Sequence, residues 1–278
     1  MTRADSQEDY FLFSRYLEKA SGIVLGPGKQ YLVSSRLGGI LQDLGVSSLR
    51  QLLDCARKDA TGEVERRIIE AMTTNETLWF RDQHPFETLS ELVFPEFTRR
   101  GIHKLRIWSA ACSTGQEPYS IAMVAEEYRR ASLRGAALRT EIIATDIAAS
   151  VLRIARDGVY DALSLGRGLT AERRARFFEC IGERARVNEA LRHCVQFREL
   201  NLLHSYAGLG RFHIVFCRNV LIYFSPESKK DIVDRMSRII EPGGFLFLGG
   251  AESMTRHSDR FESVRARGGM VFRRKMAS

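Results

Sequence analysis

The chain has 278 residues, enough for one large domain or a large and a small one, and its 44% hydrophobic content can fill a sizeable core, which argues against a disordered protein. No apolar run approaches the ~20 residues of a bilayer span, and the start lacks the basic-then-apolar layout of a leader, so the chain reads as cytoplasmic with no direct membrane insertion. The net charge of +8 falls entirely after residue 90, where 31 Lys/Arg meet 21 Asp/Glu; that surface suits nucleic acid, an acidic protein or simply water.

Five cysteines without a C-x-x-C pair suggest neither a disulfide framework nor zinc, and the scattered histidines show no ligand spacing, so no metal is predicted. From Tyr10 to Met72 the apolar residues recur with helical period only. Gly22, Gly26-Pro-Gly28, Gly45 and Gly62 fall at helix ends, which predicts a four-helix domain over residues 1–72. Lys29, Arg36 and Arg50 are candidates for an outward face of that domain. Residues 73–90 form a linker in which Thr73-Thr-Asn-Glu-Thr-Leu-Trp-Phe-Arg-Asp82 packs hydrogen-bonding side chains beside two large aromatics; buried polar groups need partners, and a ligand can supply them. An amphipathic helix resumes from Pro85 to Arg100.

Lys104 to Val124 is the centre of the chain. Leu105, Ile107 and Trp108 form a buried strand, Ala110 to Gly115 are small enough to admit a ligand against the backbone, and Pro118 suits a first helical turn. This strand, turn and helix form either a nucleotide-cradling turn or an ordinary tight connection. A second apolar strand, Glu141-Ile-Ile-Ala-Thr-Asp146, ends in a carboxylate placed for ribose hydroxyls, or for capping the next helix, Ser150 to Arg156. Residues 161–198 read as an Arg-rich insertion with a helix near Ala171 to Phe178 and a small antiparallel sheet. Phe212 to Cys217 is the clearest buried strand, and ligands of open parallel sheets lie beyond strand carboxyl ends, so Arg218, Asn219 and Tyr223 stand where a ligand sits. Ser225-Pro226 caps and starts a helix to Ile240. Strands at Phe245 to Leu248 and Met270 to Arg273 complete a doubly wound sheet.

Thr73 to Arg81, Trp108 to Ala122, Ala144-Thr-Asp-Ile147, Asn201-Leu-Leu203 and Phe216 to Phe224, taken in that order, resemble the CheR family of chemotaxis receptor methyltransferases. The resemblance implies an α/β, Rossmann-like S-adenosylmethionine-dependent methyltransferase domain over residues 91–278 with a small inserted antiparallel β-subdomain, preceded by the all-α domain and by a linker that contributes to the cofactor site. It implies transfer of a methyl group from S-adenosylmethionine to glutamate side chains on the cytoplasmic domain of chemoreceptors, giving glutamyl methyl esters and S-adenosylhomocysteine, by a monomer recruited to receptor arrays. By position, Asn75, Thr77, Arg81, Ala110, Glu117, Asp146, Ile147, Asn201, Leu202, Arg218 and Asn219 match cofactor-contacting positions. Arg81 and Tyr223 match those nearest the transferred methyl, and Lys29 and Arg36 are the candidate receptor contacts. The Phe178 to Phe197 segment is shorter than in relatives that dock on a receptor C-terminal pentapeptide, so docking is expected to be pentapeptide-independent. Two other readings compete. A nucleic-acid methyltransferase is disfavoured because no Asn/Asp-Pro-Pro-Tyr/Phe motif follows the fourth strand. A silent S-adenosylmethionine-binding sensor is disfavoured by the presence of Arg81 and Tyr223.

Overall fold

The computed structural model describes residues 7–131, 135–252 and 258–276. Four helices come first: α1 (Gln7–Ser21), α2 (Gln30–Asp43), α3 (Leu49–Lys58) and α4 (Glu63–Met72). Each is too short to hold its shape alone in water, so it is the shared core that stabilises them. Phe13, Leu17, Leu37, Leu52 and Ile68 are fully buried in that core. Ser48 caps α3 by accepting the Gln51 N–H, and Asp59 accepts the Thr61 and Val64 N–H groups to start α4.

A continuous helical segment follows, α5 (His84–Thr88), a π turn over Leu89–Val93, and α6 (Phe94–Arg99). Pro95 explains the wide turn: it cannot donate to a preceding carbonyl and its ring crowds the turn before it. The chain accommodates this by letting the Phe94 N–H reach back five residues to Leu89.

The remainder is a mixed sheet with helices on both faces. Its elements are β1 (Lys104–Ala110), α7 (Gln116–Ala131), β2 (Arg139–Asp146), α8 (Ala149–Asp157), β3 (Val159–Tyr160), α9 (Ala162–Gly166), α10 (Ala171–Phe177), β4 (Phe178–Ile181) and β5 (Arg184–Val187). Then come α11 (Glu189–His193), β6 (Val195–Glu199), β7 (Phe212–Cys217), α12 (Pro226–Ile239), β8 (Ile240–Leu248), β9 (Phe261–Ala266) and β10 (Gly269–Arg274). The large sheet runs β6-β2-β1-β7-β8-β10-β9, parallel through β8 and antiparallel beyond it; β3, β5 and β4 make a separate antiparallel sheet. Alternation in β1 serves two cores, with Leu105 and Ile107 on one face, Trp108 and Ala110 on the other.

One expectation needs correction. Val195–Glu199 belongs to the large sheet, pairing with β2 from Ile142↔Val195 to Asp146↔Glu199, so it is not part of the insertion. As an edge strand it carries polar Gln196, Arg198 and Glu199, which disguise it in sequence. Strand β9 and the short helices α9 and α11 are also unanticipated, and β9 pairs with β10 so that the sheet ends in an antiparallel hairpin.

Candidate active site

The register of the sheet creates the site. Ala110 lies beside Thr145 of β2 and Cys217 of β7, so the next residues, Ala111, Asp146 and Arg218, leave the sheet at one level. The chain crosses from one side of β1 to the other here, the place where open sheets leave a crevice. The crevice is a cavity closed by residues 73–81 and by the end of α1.

Asp146 ends β2 as a buried carboxylate. It accepts the Ser113 N–H at 2.8 Å and the Ala148 N–H at 3.0 Å, joining the β1–α7 turn to the start of α8. Burial raises its affinity for a proton above the ordinary value, and these hydrogen bonds only partly oppose that. Glu117, in the first turn of α7, accepts from Ser109 Oγ at 2.8 Å and Arg218 Nη1 at 3.1 Å. Its proton affinity is also raised by burial, with Arg218 and Ser109 pulling the other way. The Arg218 side chain is 1% exposed; it also pairs with Asp82 at 2.7 Å and donates to the Arg81 carbonyl at 2.8 Å.

The backbone around the cavity is strained. Among the described residues, the non-glycine residues in the left-handed region are Phe80, Asp82, Gln83, Ala111, Ser113 and Asn219. All lie beside Arg81, in the β1–α7 turn or just past β7. Such conformations persist where surrounding structure enforces them, and they concentrate at functional loops. The linker supplies part of that enforcement: Trp79 is fully buried and meets Tyr160 and Phe178 edge-on at 4.9 and 5.3 Å, and the Phe80 N–H donates to Ser120 Oγ at 3.2 Å.

Of the residues singled out from sequence, Asn75, Thr77 and Arg81 line the cavity from the linker, Glu117 from α7, and Asp146 and Ile147 from the end of β2. Asn201 and Leu202 line it from the segment after β6, and Arg218, Asn219 and Tyr223 from the segment after β7. Ala110 does not line it. It is the last residue of β1 and is packed with Trp108 and Ile143, while Ala111 and Cys112 take the lining position one step on. Lys29 is exposed and is not among the lining residues. Arg36 turns inward instead of outward: its guanidinium donates to the Met72 carbonyl at 2.7 Å, the Thr73 carbonyl at 2.9 Å and Thr74 Oγ1 at 3.0 Å. Three acceptors at the end of α4 and in the linker outweigh solvation of one cation. Arg50 is held at the surface by Asp9.

Sequence reasoning missed Ser21 and Ile23, which line the cavity from the end of α1. Asn201 Nδ2 donates to the Ala20 carbonyl and the Val24 N–H to the Tyr223 carbonyl, tying the helical domain to the site. Gly22 after a helix reads as an ordinary terminus, so no local signal marks this contact.

The donor set fits S-adenosylmethionine. Two guanidinium groups, Arg81 and Arg218, face three carboxylates, Glu76, Glu117 and Asp146, leaving one net negative charge in the lining. The cofactor, with carboxylate, ammonium and sulfonium groups, carries one net positive charge. Arg218 Nε is buried without a hydrogen-bond partner among the described residues, as expected if a ligand acceptor completes it. Asp146 would take ribose hydroxyls and Glu117 the ammonium group.

The family model described as CheR methyltransferase, SAM binding domain, matches residues 75–270, and the model described as CheR methyltransferase, all-alpha domain, matches residues 8–73. The chain is 48% identical to chemotaxis protein methyltransferase 1 of Pseudomonas aeruginosa, over 96% of this chain and 98% of that protein. It is 47% identical to chemotaxis protein methyltransferase Cher2 of Pseudomonas putida over the same shares. To the chemotaxis protein methyltransferase of Escherichia coli it is 35% identical, over 89% of this chain and 85% of that protein.

Proposed function

Because the chain belongs to the CheR methyltransferase family, we propose that it methylates glutamate side chains on the cytoplasmic domain of chemoreceptors, giving glutamyl methyl esters, for adaptation in chemotaxis. The observation that carries this reading is the charge-matched crevice in which Asp146, Glu117 and buried Arg218 meet Arg81 and Tyr223. When bound, S-adenosylmethionine supplies an electrophilic methyl carbon on a sulfonium.

The nucleophile dictates what the protein must do. A glutamate titrates near pH ~4.3, so at neutral pH it is already ionised and needs no strong base. None of the lining residues has to remove a proton. The work that remains is placement, which can lower a barrier by about 7 to 11 kcal/mol at best. Arg81 is anchored through its own carbonyl by Arg218 and through Nη1 by the Glu76 carbonyl, so its guanidinium is held at the mouth to orient an incoming carboxylate. A full ion pair there would weaken the nucleophile, and orientation is the better assignment. Tyr223, held by the Val24 N–H, borders the same space. Lys29 remains a candidate receptor contact. Arg36 is better assigned to shaping the linker, and receptor docking is proposed not to need a terminal pentapeptide. Action in the cytoplasm, as a monomer, completes the reading; among the described residues no helix is long and apolar enough to cross a membrane.

The test is transfer of labelled methyl from S-adenosylmethionine to receptor-containing membranes, followed by mild base. Release of the label as methanol, and its loss with Arg81→Ala, is expected. Base-stable label would refute a carboxyl ester, and cofactor binding without transfer would favour a silent sensor.

A further inference from the structure

Glu252 lies in the turn after β8 and is not part of the cavity lining, yet its carboxylate is the hub of the segment that carries Asn219 and Tyr223. Oε2 accepts the Asn219 N–H at 2.8 Å and the Gly249 N–H at 2.7 Å, and Oε1 accepts the Ile222 N–H at 3.3 Å. One side chain therefore satisfies three main-chain donors at the carboxyl ends of the adjacent strands β7 and β8. Among the described residues no cation forms an ion pair with it, and the partners of its carboxylate there are main-chain N–H groups, much as at a helix start.

The surroundings are built to this hub. A Cβ at Gly249 would lie 2.7 Å from Glu252 Oε2 and 2.8 Å from both Asn219 N and Nδ2, so only glycine leaves room for the carboxylate. Asn219 sits at φ 57, a conformation that needs outside support, and its N–H is one of the three donors. Ile222 precedes Tyr223, whose own N–H bonds to the Val220 carbonyl in the same tight turn.

We propose that Glu252 is a positioning residue for methyl transfer: its two oxygens divide the labour, Oε2 setting Asn219 for the cofactor and Oε1 setting the Ile222–Tyr223 turn for the substrate. The catalytic part of this inference rests on the function proposed above. The expected signature is a split between two variants. Glu252→Gln keeps one carbonyl oxygen, which goes to the pair of donors from Asn219 and Gly249, and turns an N–H donor against the Ile222 N–H. Cofactor affinity then stays within about threefold of wild type while kcat falls ~10-fold or more, the scale of loss that follows a misplaced reacting group. Glu252→Ala loses both functions.

The experiment measures S-adenosylmethionine affinity by calorimetry, kcat and KM on receptor membranes, and urea unfolding, for wild type and both variants. Rates are expressed per folded molecule. The inference is overturned if either variant keeps wild-type kcat, or if rate and affinity fall only in proportion to the folded fraction. Should wild type bind cofactor but methylate no receptor, the reading of function fails. The affinity of Glu252→Ala still decides the Asn219 half: an unchanged value refutes it and a weakened one supports it.

Discussion

Replacing Arg218 with methionine keeps a stem of similar bulk and removes the guanidinium from between Asp82 and Glu117. The Asp82 side chain is 41% exposed, and water takes over that half of the pair for about 0 to 1 kcal/mol. Glu117 is 13% exposed and is left with the Ser109 hydroxyl alone. The penalty for that lone charge has a ceiling, because the carboxyl can take a proton instead. Moving its midpoint from the ordinary 4.5 up to pH 7 costs about 3.4 kcal/mol, at ~1.36 kcal/mol per pH unit. The ceiling shrinks to about 0.7 kcal/mol at pH 5 by the same conversion. The sign follows: a carboxyl whose folded midpoint lies above its unfolded one destabilises the fold at higher pH, and the deficit is relieved as pH falls through the folded midpoint. Because burial already raises the Glu117 midpoint in the wild type, the expected loss is at most about 3 kcal/mol at pH 7, at the lower end for a broken buried pair, and at most about 1 kcal/mol at pH 5. Urea unfolding of the cofactor-free protein at both pH values measures it. Both tryptophans, Trp79 and Trp108, are buried in the cores of the α/β part, so their fluorescence reports on that part. An equal loss at pH 7 and pH 5 would refute the lone-charge argument, as would failure of Glu117→Gln to recover stability when combined with Arg218→Met.

Asp146→Ala removes the acceptor of the Ser113 and Ala148 N–H groups as well as the proposed ribose contact, and is expected to weaken cofactor binding about 10- to 100-fold by calorimetry. Since burial raises the midpoint of Asp146 and the ionised form is the acceptor, wild-type affinity should fall on acidification sooner than an ordinary aspartate would dictate. That titration should vanish in Asp146→Ala; its persistence there would assign it to another group. Gly22→Ala adds a Cβ 2.2 Å from Phe224 at a residue with φ +81, so a loss of about 2 to 4 kcal/mol is expected, together with reduced methyl transfer. Unchanged unfolding and turnover would mean that the contact between α1 and the Tyr223 turn is not maintained in solution.

Local pattern determined a great deal of this protein. Helical period and punctuating glycines marked α1 to α4, Ser225-Pro226 marked the start of α12, and continuous apolar runs ending in Ala110, Asp146 and Cys217 marked the three strands that open onto the crevice. Those features depend on neighbours within a turn or a strand, and sequence displays them directly. Only the tertiary structure decided which residues meet across the chain. Parallel register brought Ala111, Asp146 and Arg218 to one level; edge position made a polar segment, Val195–Glu199, a strand of the large sheet. It turned Arg36 from a surface cation into a clamp on the linker, set Gly22 against Phe224, and made Glu252 the anchor of the Tyr223 turn. A carboxylate or guanidinium can satisfy any donor or acceptor within reach, and its partner is chosen by the path of the chain. No spacing along the sequence encodes that choice.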